Sequence, residues 1–249
     1  MAHNPFSLKG KTILVTGASS GIGRATAIEC SRMGAHLFIT GRDAQRLKET
    51  GQLLEGAGHE GVIADLSDSK GIEKIIDAVP QLDGFVPAAG FTKLLPTQFI
   101  HSGDLSRILQ VNTQAPILLT KGLVKNKKLN KGASVVFVSS IAGVYSVSPG
   151  NAMYSASKGA IQAFMKSAAL ELASKKIRCN AVNPGLVNTN ILSEGTLTNE
   201  QLEARKALYP MKRFGEPEEV AYAIIYLLSD AAGWVTGSSL LIDGGFTLQ

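Results

Sequence analysis

Cysteine is nearly absent from this sequence: 249 residues carry only Cys30 and Cys179. That excludes a disulfide framework, and no CxxC spacing offers a redox or metal pair. Both read most simply as small core residues. Histidine is scarce as well. His3, His36, His59 and His101 are scattered, with no HExxH and no Cys/His cluster, so no metal site is expected. Long apolar runs are missing, and none reaches the roughly 18 residues of a membrane span. The opening MAHNPFSLKG lacks the apolar stretch of a signal peptide, so a cytoplasmic location is the expectation. Repeats, low-complexity tracts and Pro/Ser linkers are also lacking. A chain of this length suits a single domain over residues 1–249 with one hydrophobic core.

Acidic residues number 20 against 25 basic ones, for a formal net charge of +5. The excess is diffuse except at Lys125, Lys127, Lys128 and Lys131. No aromatics interleave that run, which reads as a solvated helix end before a strand rather than a nucleic-acid patch. The overall sign mildly favours anionic ligands such as phosphates. An apolar fraction of 45% rules out a disordered chain. The 26 glycines follow no period, so they mark tight turns rather than collagen.

What is present is alternation. Short β-branched runs at 12–15, 36–40, 61–64, 84–86, 134–138, 177–182 and 239–242 read as strands. Helical patterns separate them at 21–33, 44–55 and around Ile72, Ile75, Ile76 and Val79. Two helical stretches meet at Val111 and Asn112, a long helix runs from Tyr154 to Ala173, and another from Pro217 to Leu228. Continuously apolar strands between helices predict an α/β fold: a doubly wound parallel sheet of about seven strands, with helices on both faces. Right-handed crossovers bring the ligand site to the carboxyl ends of the strands.

The first such end carries Thr16-Gly17-Ala18-Ser19-Ser20-Gly21-Ile22-Gly23. Glycines let the backbone turn sharply and approach a pyrophosphate. Free N–H groups and the dipole at the helix start attract its charge, and Ser19 and Ser20 add hydroxyl donors. Glycine turns are common between strands and helices; the position after the first strand is what points to a dinucleotide. Further on, Tyr154 and Lys158 stand one helical turn apart. Carbonyl reduction needs a proton donor beside the hydride acceptor. A free tyrosine pKa of about 10 is too high for that at neutral pH, and a neighbouring ammonium lowers it. The bland alternative is an exposed pair on a surface helix. Ser139 and Ser140 close the strand before it, where a doubly wound sheet puts its site. Asn112, where two helical stretches meet, reads otherwise as a minor propensity cost.

These residues together resemble the short-chain dehydrogenase/reductase family, in its short single-domain branch. The resemblance runs from Lys11 to Gly245 and rests on TGASSGIG, Asp65-Leu66, Ala89-Gly90, Asn112, Ser140, the Tyr154/Lys158 pair, Asn183-Pro184-Gly185 with Thr189, and Asp243-Gly244-Gly245. It implies that Tyr154 is the acid/base and that Lys158 lowers its pKa and holds the nicotinamide ribose. Ser140 would polarise the carbonyl and Asn112 would position a water. It also implies cofactor contacts at Gly17, Ser19, Ser20, Ile22, Gly23, Asp65, Leu66, Ala88, Ala89, Gly90, Pro184 and Gly185, with Val187 and Thr189 at the nicotinamide amide. One departure stands out: Pro87-Ala88 replaces the family's usual Asn pair, removing a strand-tying hydrogen bond worth about 1 kcal/mol.

The second strand ends without an acid, and Arg42 follows it. A guanidinium suits the 2′-phosphate of NADP(H), which is the expected cofactor, unless Arg42 merely caps the loop. Asp43 reads as the cap of the next helix. Residues 188–212 correspond to the family's substrate lid. Ile191, Leu192, Leu197, Leu202, Leu208 and Met211 line an apolar pocket or pack routinely. The nearest pattern is that of 3-oxoacyl-acyl-carrier-protein reductases, carried by RFGEPEEV and VTGSSLLIDGG, so the expected substrate is a small carbonyl compound that a carrier protein could hold. Sugar, polyol and steroid-type reductases share it. A nucleotide-sugar epimerase would need a large C-terminal domain, and a non-catalytic NADP sensor would tolerate loss of the tetrad kept here. No nucleic acid or membrane partner is expected. The long helix (Phe164, Met165, Ala168, Ala169, Leu172) and the Pro217 helix (Val220, Ala221, Ile224, Ile225, Leu227, Leu228) look apolar nearly all round. That predicts burial against partner subunits in a homotetramer, or failing that a dimer.

Overall fold

The computed structural model describes residues 4–189 and 198–249. Its strands are β1 (Thr12–Thr16), β2 (His36–Gly41), β3 (Glu60–Ile63), β4 (Leu82–Pro87), β5 (Leu129–Val138), β6 (Arg178–Pro184) and β7 (Ser239–Ile242). Its helices are α1 (Gly21–Arg32), α2 (Ala44–Gln52), α3 (Ser69–Ala78), α4 (Ser102–Leu109), α5 (Ala115–Lys125), α6 (Ala152–Leu172), α7 (Asn199–Ala207) and α8 (Pro217–Leu228). The strands form one parallel sheet in the order β3-β2-β1-β4-β5-β6-β7. The order reverses between β1 and β4, and a crevice opens there at the carboxyl ends.

Both sheet faces are buried, which is why the strands are apolar without alternation. On one face Leu14, Phe85, Val135, Phe137 and Cys179 meet Ile75 of α3, Leu119 of α5 and Met165 of α6. On the other, Ile13, Val15, Val86, Val136 and Val182 meet Ala27 and Cys30 of α1 and Ile224 and Leu228 of α8. Both cysteines are free and buried, as expected of small core residues. Burial pushes the Cys179 thiol up to about 12 and that of Cys30 higher still, so both stay protonated and inert. No helix of the described residues is long and apolar enough to cross a membrane.

Two expectations need correction. The β5 strand begins at Leu129, not Ser134, so Lys131 lies in a strand. Lys128 does serve a helix end: its ammonium donates to the Val79 carbonyl at 2.6 Å, where α3 stops. The helix faces expected to meet partner subunits are instead covered from within. Met165, Ala168, Ala169 and Leu172 of α6, and Val220, Ala221, Ile224, Ile225, Leu227 and Leu228 of α8, are buried within the chain itself. The reason is that α8 lies on β5 and β6 and also packs along α1, so more than one of its sides is covered. Phe164 sits partly buried, edge-on to Phe137 at 5.9 Å.

Candidate active site

The loop after β1 is shaped by backbone crowding. Gly17 has φ +68°, and a Cβ there would lie 2.7 Å from the Ala89 nitrogen and Cα. A Cβ on Gly23 would lie 2.3 Å from the Gly17 carbonyl oxygen. Only glycines let α1 start so close under the loop. Ser20 is extended (φ −165°) at the N-cap of α1, and its side chain makes no capping bond. The first N–H groups of α1 therefore have no side-chain partner at that end, which leaves them for an anion. Ser19 packs against Gly41, and Thr189 against Gly21. This cradle fits a dinucleotide pyrophosphate.

Beyond β2, Asp43 accepts the Arg46 N–H at 3.0 Å and caps α2, as the sequence suggested. Arg42 is exposed and makes no hydrogen bond or ion pair among the described residues. The loop-capping alternative for Arg42 falls, because the cap is Asp43. Asp65 turns its carboxylate onto Ser67, accepting both its N–H and its hydroxyl at 2.8 Å. Those bonds, with Arg42 and Arg107 nearby, hold its pKa below the usual range. Leu66 is buried in the core below it.

The β4 strand ends at Pro87, opposite Thr16 of β1, while its ladder with β5 ends earlier at Phe85↔Val135. A residue without an N–H is tolerated at such a strand end. The lost Asn tie has a partial substitute: the Ala89 N–H reaches the Thr16 hydroxyl at 3.4 Å. The close approach of Ala88 and Ala89 to Gly17 is kept.

Three tetrad candidates converge where β5 ends. Ser140 is buried and its Oγ accepts the Ala142 N–H at 3.1 Å, which leaves its own proton to donate. Tyr154 opens α6 and keeps part of its surface open. Burial raises its phenol above the ordinary value, and the facing Ser140 hydroxyl pulls it part of the way back. Lys158, one turn on, is buried. Its ammonium donates to the Val138 carbonyl at 2.8 Å and lies 5.6 Å from the Tyr154 ring centre. Burial pushes its pKa down to about 8. The expected lowering of Tyr154 by Lys158 is not seen: burial moves the phenol upward, and the Lys158 ammonium is engaged by the Val138 carbonyl.

Asn112 lies in a π turn, Gln110–Gln114, between α4 and α5. Such single turns often mark functional sites. Its Oδ1 accepts the Phe91 N–H at 3.1 Å, and its Nδ2 donates to the Phe91 carbonyl at 2.9 Å and to Ser157 Oγ at 3.1 Å. Both amide hydrogens are thus taken by protein, and the side chain ties the β4 loop to α6. Sequence reading missed Ser157, whose only signal was its place in the turn between Tyr154 and Lys158.

On the far side of the crevice, Pro184 and Gly185 end β6, Val187 is buried and bridges to Gly215, and Thr189 reaches the phosphate loop. Gly185 is held by Tyr209, whose hydroxyl accepts the Leu186 N–H at 2.9 Å. Sequence reading also missed Tyr209. Of the expected lid residues, Ile191, Leu192 and Leu197 lie outside the described residues; Leu208 and Met211 are exposed. No group of metal-ligating side chains occurs among the described residues.

A family model described as enoyl-(acyl carrier protein) reductase matches residues 17–247. The chain is 33% identical over 243 residues to the 3-oxoacyl-[acyl-carrier-protein] reductase FabG of Rickettsia felis, covering 98% of this chain and 99% of the relative. It is 34% identical over 239 residues to carbonyl reductase family member 4 of Danio rerio, covering 94% and 97%. Among solved structures, one from Beutenbergia cavernae superposes with a TM-score of 0.89 at 30% identity, covering 99% of this chain and 100% of that one. That protein, provisionally assigned as an NAD(P)-dependent gluconate 5-dehydrogenase, has NADP bound at low occupancy. A short-chain type dehydrogenase/reductase from Mycobacterium marinum gives 0.89 at 26% identity, covering 98% of each chain.

Proposed function

The chain belongs to the short-chain dehydrogenase/reductase family, an oxidoreductase family, and we propose that it reduces a ketone with NADP(H), the ketone being a 3-oxoacyl thioester. The observation that carries this reading is the meeting of Tyr154, Ser140 and buried Lys158 at the mouth of the crevice whose floor is the glycine loop.

A nicotinamide ring held there supplies the hydride. The chain's own residues do the rest. The Gly17–Gly23 loop and the start of α1 hold the pyrophosphate, with Ser19, Ser20 and Ile22 at its edge. Arg42 meets the 2′-phosphate with a guanidinium that makes no hydrogen bond or ion pair among the described residues. Asp65, Leu66 and the backbone of Ala88–Gly90 flank the adenosine, and Pro184, Gly185, Val187 and Thr189 the nicotinamide. Ser140 donates its free proton to the substrate carbonyl oxygen. Tyr154 gives that oxygen a proton as negative charge develops on it. Burial keeps the phenol in its proton-bearing form, the form that reduction consumes. Lys158 lies behind Tyr154 and holds the ribose. With both amide hydrogens engaged, Asn112 would order a water through a main-chain carbonyl of the π turn rather than by donating from its side chain.

The acyl reading is supported by the loops that leave the carboxyl ends of the strands. They expose Leu94, Tyr145, Val147, Leu208 and Met211. Lys93 and Arg213 on the same loops are engaged by Asp104 and Glu219. An apolar chain is better served there than the carboxylate of a sugar acid. Exposed Leu170, Tyr222, Trp234 and Leu240, on α6, on α8 and at β7, support a homotetramer as the working form.

The test is Tyr154→Phe, assayed by NADPH oxidation against a panel of ketones with 3-oxoacyl thioesters included. Turnover should fall by roughly 10²–10⁴-fold while NADPH still binds. Near-normal turnover would refute the role of Tyr154.

A further inference from the structure

Behind Ser140 lies a buried polar chain that the tetrad does not include. The Asn183 side chain on β6 is fully buried, and its Nδ2 donates to the Ser140 carbonyl at 2.9 Å. Its second Nδ2 hydrogen points to Gln162 Oε1 at 3.4 Å. Gln162 is buried on α6 and donates in turn to the Ser239 hydroxyl of β7. The orientation of the Asn183 amide is fixed by these partners, since a flipped amide would set oxygen against two oxygens. Its Oδ1 is left with no protein partner.

This arrangement has a local cause. The Ser139 N–H bonds the Val182 carbonyl and the Ile141 N–H bonds that of Pro184, so β6 guides the chain through the bend at Ser140. At this bend the Asn183 amide donates to the Ser140 carbonyl from the side. Burying an amide on a strand otherwise packed with Cys179 and Ala181, and leaving its oxygen unpaired, costs stability. Leu or Val would pack the same position without that cost, so the amide is kept for something other than packing.

We propose that Asn183 and Gln162 are positioning residues: together they pin the Ser140 peptide so that its hydroxyl faces Tyr154. The inference rests on the dehydrogenase reading above, and it extends the site from the crevice to the edge of the sheet. Gln162 lies one helical turn beyond Lys158, so α6 carries the proton donor, the ammonium and this brace on successive turns. The pin acts on orientation alone. The pyrophosphate and adenosine contacts proposed above lie on the loops after β1, β2 and β3, away from the pin, so NADPH affinity should change little.

The experiment compares wild type, Asn183→Leu, Gln162→Met and Ser140→Ala. Three readouts are taken: NADPH affinity by fluorescence, kcat and KM on an active ketone, and titration of Tyr154 by tyrosinate absorbance, with Tyr154→Phe as the blank. Asn183→Leu should lose roughly tenfold or more in kcat, in line with the sensitivity of such sites to misplacement. NADPH affinity should stay within about twofold, and the Tyr154 titration should move up toward that of Ser140→Ala. Gln162→Met should move both in the same direction by less. An Asn183→Leu protein with wild-type kcat and wild-type titration would overturn the proposal. So would losses of kcat and NADPH affinity in equal measure with an unmoved titration, since that is what a merely loosened fold produces. Should Asn183→Leu not fold, Gln162→Met decides by the same criteria. Should wild type reduce no ketone, the dehydrogenase reading fails, and the tyrosine titration still judges the pin.

Discussion

Replacing Lys158 with Met should yield a protein that is more stable and inactive. In the folded chain the ammonium is buried and its pKa falls from 10.5 to about 8. At 1.36 kcal/mol per pKa unit, the charged form is disfavoured by about 3 kcal/mol relative to the unfolded chain. Met fills a similar volume without charge. It also forfeits the bond to the Val138 carbonyl, 2.8 Å long, at a cost of about 1–2 kcal/mol. The net gain at pH 7 is about 1–2 kcal/mol, or a rise of a few degrees in Tm at roughly 2–4 °C per kcal/mol. The pH dependence carries the stronger test. The unfolded chain holds the lysine proton up to 10.5, the folded chain only to about 8. The unfolded state thus binds more protons between these values, and wild-type stability rises with pH across that window. Below it the penalty is complete. The Met variant lacks this rise, so its advantage at pH 7 should shrink above pH 8 and vanish before pH 10.5. Chemical denaturation of both apo proteins at pH 7 and pH 10 measures the difference, in which every other titrating group cancels. A variant less stable at pH 7, or an offset independent of pH, would refute the reasoning.

Two further substitutions probe the cofactor wall. Arg42→Ala should raise KM for NADPH about 10- to 100-fold and leave KM for NADH nearly unchanged, because charge-assisted bonds to a phosphate contribute roughly 1.5–3 kcal/mol. Equal effects in steady-state assays with the two cofactors would sink NADP preference. Gly17→Ala forces a side chain into φ +68° and to 2.7 Å from the Ala89 backbone, just beyond β4. The left-handed conformation alone costs about 1–2 kcal/mol, and the clash must part the two loops. Calorimetry should find NADPH affinity lost well beyond the drop in Tm; unchanged affinity would mean the loop does not hold the phosphates.

Much of this was legible in the chain. Strands such as Thr12–Val15 were readable because both faces of a parallel sheet are buried and β-branched runs suit that position. The Pro217 start of α8 was readable because proline at the first turn loses no hydrogen bond. The meeting of two helices at Asn112 came through as a polar residue between apolar patterns, although the π turn itself did not. What the sequence hid were properties of the third dimension. The flanks of α8 looked surplus because no periodicity reveals that α1 will cover one of them. Asn183 was visible only as part of a motif, without a role for its side chain, and Gln162 not at all. Their meaning depends on β5, β6 and α6 being neighbours.

Part of the buried polarity gathers around the site. Thr16, Thr40, Asn112, Ser139, Ser140, Ser157, Lys158 and Asn183 are all buried, and all stand at or beyond the carboxyl ends of strands or on the turns that face them. α6 shows the consequence within one helix. Its first turns bury Ser157 and Lys158 against the site, and its later turns bury Met165, Ala168 and Leu172 against the sheet. A helix so divided has no single apolar stripe, which is why it read as apolar all round and drew the partner-subunit argument. The apolar half anchors the helix firmly enough for its first turns to hold a desolvated ammonium and a buried amide in fixed places. Weakening that half, for instance at Met165, should therefore loosen the site before it unfolds the chain, because the buried charge is the first group to gain from water.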